Sequence, residues 1–79
     1  MTETDHATDY ARRYLDYLAQ MGITPTEHDR IEIHQAAVIA AALKPPVSHS
    51  KRRFAIFARL HEAGFNIALC SVLATLVAG

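Results

Sequence analysis

A neutral chain of 79 residues, with eight basic and eight acidic side chains, has room for a single domain. A domain of this size buries roughly 60% of the surface its unfolded chain exposes, and the lone cysteine, Cys70, excludes an internal disulfide staple. No stretch reaches the ~20 apolar residues of a membrane span, and residues 1–9 are polar and acidic, unlike a secretory leader; the expectation is a cytoplasmic protein.

The charge is unevenly placed. Residues 1–43 carry seven acids against Arg12, Arg13 and Arg30, whereas residues 44–79 carry Lys44, Lys51, Arg52, Arg53 and Arg59 against Glu62. Such asymmetry lets one half dock on the other, within a chain or between two, or offers a basic face to a polyanion.

Helix 1 is expected over about 5–21. Ala7, Tyr10, Ala11, Tyr14, Tyr17, Leu18 and Met21 recur at three- and four-residue spacing, and Leu15 widens the stripe. Gly22 supplies a left-handed stop, with Ile23 folding back toward Leu18. Helix 2 is expected over about 25–43. Thr24 is read as its N-cap, Pro25 as its first helical residue and Glu27 as the acid three residues after the cap. Its second half, Ala36 to Leu43, is wholly apolar and small enough for close helix approach, and Pro45-Pro46 ends it.

Helix 3 follows over about 51–63, capped by Ser48 or Ser50, with Phe54, Phe57, Ala58 and His61 as its stripe and Ile56 and Leu60 on the flank. Gly64 stops it, Phe65 folds back on Leu60, and Asn66 caps helix 4, over about 67–78. Residues 65–79 contain no charged side chain, and a helix apolar nearly all round has to be enclosed by something. With no strand signals, the fold is an all-α compact bundle of four helices. A small core makes a second copy the expected enclosure, through Phe65, Leu69, Val72, Leu73 and Leu76.

Three groups of residues carry the functional expectations. Lys51, Arg52 and Arg53 stand in the first turn of helix 3, where the macrodipole disfavours cations by roughly 0.3–1 kcal/mol each at exposed sites. They are a candidate site for an anion or a partner, weighed against pairing with Glu3, Asp5, Asp9 or Asp16 of helix 1. Tyr10, Tyr14 and Tyr17 form an aromatic ridge, by default core and otherwise a second contact surface. Helix 4 lacks the polar face of a recognition helix, so the Gly64 turn is no helix-turn-helix.

His28, Asp29, Glu32 and His34 do not converge as metal ligands, His61-Glu62 lacks the second His of a zinc motif, and Cys70 has no base beside it in sequence. Neither catalytic residues, nor a metal, nor a cofactor is therefore expected. The expected function is non-catalytic: a cytoplasmic, homodimeric protein-binding regulator, adaptor or inhibitor, with no membrane role. The alternative is a nucleic-acid- or phosphate-binding accessory protein using Lys51, Arg52 and Arg53, whose binding would fall steeply with salt.

Overall fold

The computed structural model describes residues 3–43 and 49–78, with side chains over 5–43 and 51–78. Four helices account for most of them: α1 (Glu3–Gln20), α2 (Glu27–Ala42), α3 (His49–Glu62) and α4 (Ile67–Ala78). No strand occurs among the described residues.

The helix stops are glycine turns of one design. Gly22 takes φ +74° and Gly64 φ +98°. In the first, the Ile23 N–H reaches the Leu18 carbonyl at 2.9 Å and the Gly22 N–H reaches Ala19 at 3.1 Å. In the second, Phe65 donates to Leu60 at 3.2 Å and Gly64 to His61 at 3.1 Å. These paired bonds occupy carbonyls that a helix end leaves without partners, and the positive φ is open to glycine at no steric cost. Asn66 then caps α4, its Oδ1 accepting from the Leu69 N–H at 2.8 Å.

The start of α2 differs from the sequence expectation. Its N-cap is Thr26, not Thr24: Thr26 Oγ1 accepts from the Asp29 N–H at 3.1 Å, and Asp29 Oδ2 accepts from the Thr26 N–H at 3.0 Å. Both threonines have an acid three residues on, so the local signal was degenerate. Closure at Thr26 leaves residues 23–26 to reverse the chain after Gly22, with Pro25 in the turn rather than in the helix. Helix α3 begins at His49, which puts Ser50 inside it and not at its cap. The Ser48 cap and the Pro45-Pro46 stop lie outside the described residues.

Helix α1 packs on α2 and α4, and α3 packs on α4 and α2; α2 and α4 also touch, whereas α1 and α3 make no backbone approach. The bundle is thus flattened across one diagonal. Residues that α2 buries are Ile33, Ala36, Ala37 and Ala40, mostly small, which is why three neighbours can lie against it. Its outer side leaves Ile31 and Val38 in solvent.

Helix α4 touches all three others and buries Leu69, Cys70, Leu73, Ala74, Val77 and Ala78. Its outer side is Ile67, Ala68, Ser71 and Thr75. Thr75 returns its hydroxyl proton to the Ser71 carbonyl at 2.9 Å, so this polar group needs no outside partner. No helix is long and apolar enough to cross a membrane among the described residues.

The α3 stripe requires a second correction. Ile56 and Leu60 are the buried residues, Phe57 is half-buried, and Phe54, Ala58 and His61 face solvent. Two stripes ran side by side in the sequence. The Gly64 turn ties the Leu60 carbonyl to Phe65, and the i, i+4 line from Leu60 back through Ile56 to Arg52 is the one turned inward.

Candidate interaction surface

The three predicted bases part company. Arg52 is half-buried and its Nη2 donates to the Tyr10 hydroxyl at 3.1 Å, so the partner the described residues give it on α1 is a phenol. This bond joins α3 to α1, whose backbones do not approach one another among the described residues. Lys51 and Arg53 are exposed. Asp9, beside Tyr10 in the chain, is held by Arg12 at 2.8 Å and Arg13 at 3.0 Å. Arg13 also donates to the Leu76 carbonyl at 3.3 Å and stands 6.0 Å from the Tyr10 ring centre. A cation near the last carbonyls of α4 is favoured by the helix dipole and satisfies a terminal acceptor. The sequence offered no signal for this link, since Arg13 and Leu76 are far apart in the chain.

The tyrosine ridge is mostly interior. Tyr10 and Tyr14 are each only 8% exposed and belong to the core, with Tyr17 half-buried beside Tyr14 at a ring separation of 6.3 Å. Tyr14 shares a cleft of about 180 Å³ with Leu18, Ile23, Asp29, Glu32, Ile33, Asn66 and Leu69. Burial, and then the nearby Tyr17, Asp29 and Glu32, push its phenol above the ordinary 10.0. Of the residues expected at a self-association interface, Leu69 and Leu73 lie in the chain's own core, and Phe65, Val72 and Leu76 are partly buried against it. Helices α1, α2 and α3 supply the enclosure of that side of α4.

Most of the remaining polar candidates are engaged locally. His28 Nε2 lies 3.5 Å from Glu32 Oε2, and Asp29 serves the α2 cap, whose hydrogen bonds hold its carboxyl below the ordinary 3.8. His34 is exposed. Cys70 is buried, its thiol pushed up by desolvation and its Sγ–H directed at the Phe65 carbonyl at 3.5 Å. A protonated thiol out of contact with solvent is a packing group, not a nucleophile.

What the sequence reading missed is the outer face of α3. Phe54 is 72% exposed, the most exposed large apolar side chain of the described residues. It stands with Phe57 and Arg53 along one wall of a groove whose other wall is Ser71 and Thr75 of α4, enclosing about 490 Å³. Phe57 is set by His61, one turn on, with ring planes 5° apart and centres 6.1 Å apart. The stripe Phe54, Phe57, Ala58 and His61 was visible as apolar. Its exposure was hidden because a competing stripe, Ile56 and Leu60, had equal claim to the core. No protein-family model, no curated protein and no solved structure matches this chain.

Proposed function

We propose that the chain is a non-catalytic protein-binding module, a regulator, adaptor or inhibitor that works by occupying a partner's surface with the α3–α4 face. The observation that carries this reading is Phe54, a whole aromatic ring left 72% in water beside a groove. Burying such a ring is worth about 1.5–3 kcal/mol, and centrally placed aromatics dominate binding energies at interfaces. Asp29 is committed to a cap, Arg52 and Cys70 to contacts inside the bundle, and His28 lies against Glu32, which supports a binding role over catalysis.

The test is paired affinity capture from the native host extract with wild-type protein and Phe54→Ser, after circular dichroism shows equal helix content. A partner held by the wild type and lost by the variant supports the proposal. Partners retained equally by both overturn it. The second reading, a phosphate or nucleic-acid binder, draws on the exposure of Lys51, Arg53 and Arg59 along α3. It requires affinity that falls steeply with salt and is lost in an Arg53→Ala, Arg59→Ala double variant.

A further inference from the structure

We propose that the α3–α4 groove receives an acid-flanked amphipathic helix of a protein partner, an inference that rests on reading this face as an interaction surface. The described residues are helical and offer no sheet edge for strand addition, and the groove between α3 and α4 is open to the helix-in-groove mode instead. This groove has the parts such recognition uses. Phe54, Phe57 and Arg53 line its α3 side, and the small side chains Ser71 and Thr75 line its α4 side, where a backbone can approach. Its volume of about 490 Å³ lies within the usual range for ligand sites.

Charge selects the partner. One base, Arg53, lines the groove, Lys51 and Arg59 are exposed elsewhere on α3, and no acid lines the groove among the described residues. An incoming helix with Asp or Glu beside its apolar stripe is attracted, and one with Lys or Arg is repelled. A second copy is disfavoured by the same rule, because a two-fold contact across the groove sets Arg53 and its neighbours against their own image.

A nucleic-acid strand fits less well. It needs several cations along its track and free ring faces for stacking. Here Arg52 is spent on Tyr10, one face of Phe57 is covered by His61, and residues 65–79, which include the α4 wall, carry no base.

The experiment pans a display library of random peptides, about four helical turns long, against the full chain, then measures the selected peptides by fluorescence anisotropy. The expected winners carry apolar residues at i, i+3 or i+4, and i+7 with an excess of Asp and Glu. Their affinity should fall roughly thirtyfold or more in Phe54→Ser and roughly three- to tenfold in Arg53→Glu. Phe54-dependent peptides that are basic, neutral or proline-rich overturn the acidic-helix inference and leave the interaction surface standing. A selection with no Phe54-dependent peptide, from protein shown folded by circular dichroism, overturns both. Two controls assign the groove elsewhere: oligo-dT binding that needs Phe54 and Arg53, or a dimer in sedimentation that dissociates in Phe54→Ser.

Discussion

Leu73→Ala separates a core completed by this chain from one completed by a partner. Leu73 is 0% exposed, on the side of α4 turned into the bundle. Truncating a buried leucine removes its transfer energy and leaves a cavity, together about 2–5 kcal/mol. A domain of this length has a stability of roughly 4–12 kcal/mol, so a mid-range loss of about 3 kcal/mol takes more than a third of a mid-range total. The melting temperature should drop by about 12–24 °C.

Phe54→Ser is the control. Its ring is in water and serine and phenylalanine have similar helix propensities, so the change should stay within about 0.5 kcal/mol. The assay is urea unfolding followed by helical circular dichroism at several protein concentrations. A Leu73→Ala loss below about 1 kcal/mol, or an equal loss in Phe54→Ser, refutes the assignment of inner and outer faces. Midpoints that rise with protein concentration show that a second copy contributes to the enclosure.

The other predictions concern single links. Thr26→Ala should cost about 0.5–2 kcal/mol and return Asp29 toward its ordinary titration. Because the folded Asp29 titrates below 3.8, its contribution is present above that value and is lost as pH falls through the folded pKa; an acid-limb stability profile unchanged by Thr26→Ala would contradict this. A double-mutant cycle of Arg52→Ala and Tyr10→Phe should give a coupling of about 0.5–1.5 kcal/mol, and zero coupling would remove the bond as a tie between α3 and α1. Cys70 should react with a chromogenic disulfide reagent only as fast as the fold opens; a native rate equal to that in urea would place the thiol at the surface.

Much of the architecture was legible because it rests on local chemistry. Gly22 and Gly64 can only be read as left-handed stops, and both act so. Asn66 is the one residue before the last helix able to cap it, and it does. Where the local signal was doubled, reading failed. Two threonines each had an acid at the capping spacing, and two apolar stripes ran along α3. Periodicity says which residues share a face, but not which of two adjacent faces meets a neighbour.

From the sequence alone came the number of helices, their stops and the demand that residues 65–79 be enclosed, since these depend on residues near one another in the chain. The tertiary structure decided which side chains meet that demand. It closed the inner side of α4 with α1, α2 and α3, drew Tyr10 and Tyr14 into the core and left Phe54 outside. It also spent Arg52 on Tyr10 and Arg13 on the end of α4. These outcomes depend on how whole helices pack, because one face buried against a neighbour exposes another, and no window along the chain contains both.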